Sequence, residues 1–113
     1  MPGARSKYGN RQDSNHDELA AQFEAFPGVQ VVDTSGVGDD FPDLVIGLRG
    51  AWVMVEIKSA TGSLSPGQRQ FHALAVGPTA IVRCALDVRE LVMGFMRSGR
   101  VPPEFQPTRS IRR

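Results

Sequence analysis

Apolar residues along the chain change their period several times, and each change marks a new element. The clearest stretch is residues 41–58, FPDLVIGLRGAWVMVEIK, in which two apolar runs, Leu44 to Leu48 and Ala51 to Ile57, flank Arg49-Gly50. Short runs rich in Val, Ile and Leu on either side of a two-residue turn pair predict a β-hairpin. With residues 49 and 50 in the turn, Leu48 opposes Ala51, Ile46 opposes Val53 and Asp43 opposes Glu56. Strand alternation then places Leu44, Ile46, Leu48, Val53, Val55 and Ile57 on one wholly apolar face. The other face carries Asp43, Val45, Gly47, Trp52, Met54, Glu56 and Lys58.

Upstream of the hairpin, Ser14 with Asp17 three residues later predicts a capped helix over residues 15–25. Leu19, Phe23 and Phe26 form its apolar stripe, and Pro27-Gly28 ends it. Val29 to Asp33 reads as a short strand, followed by a glycine-containing loop, 34–40. Downstream, Ser65 as N-cap, Pro66 in the first position and Gln68 as the third member of a capping box predict a second helix. It runs to Ala75 or Val76, with Phe71, Leu74 and Ala75 inward, and stops at Gly77-Pro78. Thr79 to Ala85 is an apolar strand interrupted by Arg83. Asp87 and Glu90 form a further capping box before Val88, Leu91, Val92, Phe95 and Met96, which recur at helical spacing up to Gly99. The order helix, strand, hairpin, helix, strand, helix, with the second helix crossing between the third and fourth strands, predicts an α/β fold with helices on both faces of a mixed sheet.

A chain of 113 residues suits one domain, and 41% hydrophobic with 22% charged content is that of an ordinary globular protein. No apolar run is long enough to span a bilayer and the N-terminal residues lack the apolar segment of a signal peptide, so a cytoplasmic location is expected. The single cysteine, Cys84, excludes an internal disulfide or a Cys-rich zinc site, and its place in an apolar strand predicts a buried, inert thiol. The net charge of +1 conceals a segregation: residues 1–12 carry +3, residues 97–113 carry +4 and residues 13–96 carry −6. This divides the chain into a basic arm (1–12), a folded body (13–99) and a basic tail (100–113). Acids gathered in a body between basic ends suit a metal site flanked by segments that contact a polyanion, and solvated tails are the plainer alternative.

Two carboxylates facing each other, with a lysine two residues on, need compensation beside a core. A divalent cation supplies it: Mg²⁺, or Mn²⁺ in its place, takes one or two carboxylates and leaves room for water and phosphate. Lys58 would then orient or deprotonate a water, or stabilise charge on the phosphate. The bland alternative is an ion pair of Lys58 with Glu56 or Asp43. Glu18 lies beside its helix's apolar stripe, from which it either leans over the sheet or is solvated. Gln68 either caps its helix or points at the sheet. His72 stands apart from other ligand types in sequence, which argues against histidine as a metal ligand. Asp39 and Asp40 precede Asp43 closely, but the extended backbone required before Pro42 opposes convergence of all three on one ion.

A helix bearing Glu, a strand opening Pro-Asp, a strand carrying Glu-x-Lys and a helix opening near Gln resemble, in kind and order, the PD-(D/E)XK nuclease superfamily. Within it GVGDDFPDLVIG, VEIKS and LSPGQRQFH resemble the small stand-alone virus-type replication-repair nuclease (VRR-NUC) domains, often phage-encoded, over roughly residues 13–92. The resemblance implies a restriction-endonuclease-like αβββαβ core with an added C-terminal helix. It implies Asp43, Glu56 and the Ile57 carbonyl as metal ligands, Lys58 as catalytic lysine, Glu18 as helix-borne acid and Gln68 as auxiliary polar group. It further implies a Mg²⁺-dependent endonuclease in a bacterial or phage-infected cell, a homodimer cutting branched DNA such as Holliday junctions. A catalytically weak DNA-binding module and an accessory subunit of a phage replication complex are the alternatives. The Asp39-Asp40-Phe41 approach to Pro42 departs from the small or glycine-rich approach common in the family, and would alter metal affinity or repel phosphate.

Overall fold

The structure is a computed structural model that describes residues 15–107; the expectations for Ser14, for the basic arm 1–12 and for residues 108–113 of the tail lie outside it. The hairpin forms from β2, Leu44–Leu48, and β3, Ala51–Ile57. Its register pairs Leu48 with Ala51, Ile46 with Val53 and Leu44 with Val55, as the turn position requires. Arg49 (φ 52°) and Gly50 (φ 75°) both have positive φ, the backbone of a type I′ turn that matches the twist of the two strands. All six residues of the apolar face are buried, from Leu44 to Ile57. On the opposite face the Trp52 ring lies over Gly47, its nearest atom 2.8 Å from where a Cβ on that glycine would stand. A larger residue at 47 would displace the ring.

β1, Gln30–Asp33, pairs antiparallel with β2, and β4, Thr79–Val82, pairs parallel with β3, giving a mixed sheet in the order β1-β2-β3-β4. Three helices complete the α/β fold: α1, His16–Glu24; α2, Pro66–Leu74, between β3 and β4; and α3, Ala85–Ser98. Leu19 and Phe23 of α1 and Val88, Leu91, Val92 and Phe95 of α3 close over the apolar sheet face in one core. Burial of a side chain of this size contributes roughly 1.5–3 kcal/mol. Val101 and the Pro103–Phe105 turn join that core from the C-terminal side, and Gly99 (φ 77°) ends α3 in the left-handed conformation. α2 lies on the other face, across Glu56.

Several local expectations are corrected. The N-cap position of α1 is Asn15, whose side-chain amide donates to the Arg83 carbonyl (3.0 Å), and the inner face of α1 begins with His16, buried and bound to Asp33 (3.1 Å). β4 ends at Val82, not Ala85. The Asp87 carboxylate reaches back to accept the Arg83 backbone N–H (2.8 Å), so α3 starts at Ala85 with Cys84 at its N-cap position. Cys84 is therefore exposed, not buried, because the strand has already turned into a helix entry. Phe71 is only half-buried, and Leu74 (70% exposed) points away from the sheet, while His72 of the same helix is buried.

Candidate functional site

Asp43 and Glu56 meet one step beyond the last paired rung of the hairpin, as the register predicts. The approach to Asp43 is fixed by Thr34, whose backbone N–H donates to the Asp43 carbonyl (2.9 Å) and whose hydroxyl donates to the Pro42 carbonyl (2.7 Å). Asp43 Oδ2 accepts the Ile57 N–H (2.8 Å), and its carboxyl shares a hydrogen bond with Glu56. Burial and then the adjacent Glu56 charge push the Asp43 pKa up to about 7, against the pull of the Ile57 N–H. Two carboxyl groups this close titrate as a unit.

α2 delivers two further groups to Glu56. Ser65 Oγ accepts the Gln68 N–H (3.1 Å), and Gln68 Oε1 accepts the Ser65 N–H (2.9 Å), completing the capping box. Because a backbone N–H can only donate, the amide oxygen is committed to Ser65 and the amide nitrogen faces outward, where it donates to Glu56 Oε2 (3.1 Å). The two roles that compete in the sequence are thus performed together. One turn on, His72 Nε2 lies 3.6 Å from Glu56 Oε1, with its side chain fully buried. Burial depresses the His72 pKa, against the opposing effect of Asp43, and so favours the neutral imidazole. Sequence reasoning passed over His72; its i+4 spacing from Gln68 was the available signal.

A carboxylate in place of the Gln68 amide retains the cap but sets an oxygen where the nitrogen now donates to Glu56. Gln68→Glu is expected to lower the melting temperature at pH 8, by an equivalent of about 1–3 kcal/mol for the opposed buried acceptors, and to depress any activity of the pair. An unchanged melting curve would leave Gln68 as a cap alone.

Lys58 follows at the end of β3, its backbone N–H donating to the Val82 carbonyl (3.0 Å). Its half-buried side chain makes no ion pair with Glu56, Asp43 or any other described residue. The side chain runs beside Gly62 of the 59–62 turn, and Arg83 Nη1 clamps that turn by donating to the carbonyls of Ser59 (2.7 Å) and Gly62 (2.6 Å). In an extended strand the N–H and C=O of one residue point to the same edge. The Ile57 carbonyl is therefore directed to the side on which its N–H meets Asp43.

Other expected participants lie elsewhere. Glu18 is exposed on α1, and Gln22 donates to it (3.5 Å); the described geometry does not bring it to the acidic pair. Asp39 (φ 56°) and Asp40 (φ 64°) occupy the left-handed region in the loop before Phe41. The Asp40 carboxylate lies against Gly67 in the first turn of α2, where a Cβ would overlap it and where the helix dipole favours a negative charge. Asp40 is thus engaged by α2 rather than by the pair.

Among the described residues no group of three or more His, Cys, Asp and Glu side chains is arranged as a metal cage. The pair nevertheless fits a hard divalent cation of the Mg²⁺ type, which draws only one or two carboxylates from a protein and takes its other ligands from carbonyl, water or phosphate. No described helix is long and apolar enough to cross a membrane. The chain matches no protein-family model, and no curated protein or solved structure is significantly similar to it.

Proposed function

We propose that this protein is a Mg²⁺-dependent DNA endonuclease of the PD-(D/E)XK type, with Mn²⁺ able to substitute, and that it resembles stand-alone VRR-NUC domains in acting on branched DNA as a homodimer. The observation that carries the reading is the buried Asp43–Glu56 carboxyl pair at adjoining strand ends, with Lys58 two residues on and in no ion pair with a described residue. Asp43, Glu56 and the Ile57 carbonyl would hold the ion. When bound, the cation supplies Lewis acidity, acidifying a water and offsetting negative charge on the scissile phosphate.

The chain's own groups perform the remaining tasks. The Ile57 N–H fixes one oxygen of Asp43 and the Gln68 amide fixes one oxygen of Glu56, so both carboxylates keep a set direction. Lys58 orients the attacking water or stabilises charge on the phosphate. The Arg83 clamp on the 59–62 turn limits movement of the backbone that follows Lys58. The basic ends add sequence-independent attraction to the DNA backbone. A two-fold dimer would present one site to each of two strands of a junction.

The test is cleavage by the purified protein of linear, nicked, flapped and four-way DNA in Mg²⁺, Mn²⁺ and EDTA. Metal-dependent cleavage, strongest on the branched substrates, is expected. Binding that persists in EDTA with no cleavage in any metal would make the protein a DNA-binding module with a structural acid pair.

A further inference from the structure

His72 is the one buried group at this site with no evident structural reason to be polar. Its side chain is fully buried, and neither Nδ1 nor Nε2 makes a hydrogen bond with a described residue. A buried polar atom without a partner costs about 1–3 kcal/mol, so an apolar residue would serve the fold better here. The Phe71 ring packs edge-on at 5.9 Å and itself meets Phe41 at 5.5 Å. The carboxylate beside it is that of Glu56, with Nε2 facing Oε1 at 3.6 Å, just outside hydrogen-bond range.

Gln68 and His72 stand one helical turn apart, and each presents a nitrogen to a different oxygen of the same carboxylate, Oε2 at 3.1 Å and Oε1 at 3.6 Å. The first contact is made, while the second falls short by a few tenths of an ångström. Glu56 accepts from Gln68 on this side, and a carboxylate offers about four acceptor sites, so a second N–H one helical turn on is placed to close onto its other oxygen.

Resting on the cation-binding reading above, we infer that His72 is a positioning residue: its Nε2–H closes onto Glu56 Oε1 when the ion binds and, with Gln68, holds the carboxylate from the side away from the ion. Two donors on the helix side leave the remaining lone pairs of Glu56 directed toward Asp43 and the ion. The same contact fixes the tautomer, with the proton on Nε2.

Calorimetric titration of Mg²⁺ and Mn²⁺ without DNA provides the test, with melting in EDTA as the control for folding. Loss of an outer-shell partner weakens metal binding by about 10- to 100-fold, and His72→Phe is expected to fall in that range without a lower melting temperature in EDTA. His72→Gln places an amide nitrogen near the position of Nε2 and should restore binding to within a few-fold of wild type. His72→Asn, whose nitrogen mimics Nδ1, should not. This pair keeps the side chain polar and decides the question even if His72→Phe does not fold. Equal binding by wild type, His72→Asn and His72→Gln would overturn the role of His72 while leaving the cation site standing. A His72→Gln as weak as His72→Asn would also overturn it, since donation from the Nε2 position would then be insufficient. Absence of binding by the wild type would instead remove the cation site itself.

Discussion

Replacing Glu56 by Gln should abolish metal-dependent cleavage while leaving the protein folded. Gln has nearly the shape of Glu, and its carbonyl oxygen can still accept the Gln68 amide that now donates to Oε2 at 3.1 Å. The change therefore removes little packing but half of the paired negative charge that would hold the ion. A loss of about a thousand-fold in rate is expected, about 4 kcal/mol of transition-state stabilisation. Lys58→Ala should lose cleavage comparably without losing the ion, because Lys58 is not a ligand. The two variants thus separate in metal titration while agreeing in rate. Cleavage at the wild-type rate by Glu56→Gln in Mg²⁺ would remove the acidic pair from the chemistry.

Asp43→Asn should make the metal-free protein more stable at alkaline pH while inactivating it. The folded-state pKa of Asp43 stands at about 7, above its ordinary value of 3.8. Below the ordinary value the carboxyl is protonated in both folded and unfolded chains, and its ionisation opposes folding in neither. Between the two values the unfolded chain ionises and the folded chain resists, so stability declines as pH rises. The decline is complete once pH passes the folded value. At about 1.4 kcal/mol per pKa unit the loss amounts to a few kcal/mol, shared with Glu56 because the pair titrates together. Asn keeps an oxygen for the Ile57 N–H and carries no charge, so its stability should decline less than that of the wild type over this window. Denaturant melts of both proteins from pH 4 to 9 in EDTA measure the difference. In wild type, saturating Mg²⁺ should restore much of what is lost above pH 7, since binding to the folded chain alone adds stability. A wild-type profile parallel to that of Asp43→Asn would show that the pair is not a strained acid centre.

The sequence by itself determined the hairpin and everything that strand geometry dictates from it. A turn at Arg49-Gly50 fixes which residues oppose one another, and a side-chain period of two then puts Asp43 beside Glu56 and collects six apolar residues on the buried face. The box at Ser65–Gln68 and the stop at Gly99 were legible for the same reason, since each depends on residues only a few positions apart. Tertiary structure decided how the helices met this sheet. Hydrophobic pattern alone turned Leu74 inward and set His72 aside, yet α2 covers the sheet face that carries Glu56, so its Gln68 and His72 face the sheet and Leu74 faces solvent. Glu18 was a candidate by sequence order, but α1 places it at the surface and presents His16 to Asp33 instead. Cys84 read as strand because the preceding residues are apolar, whereas Asp87 draws back the Arg83 N–H and begins a helix. Local spacing specifies pairing along the backbone, but which face of a helix is buried depends on what the opposing surface offers, and that surface is assembled from residues distant in the chain.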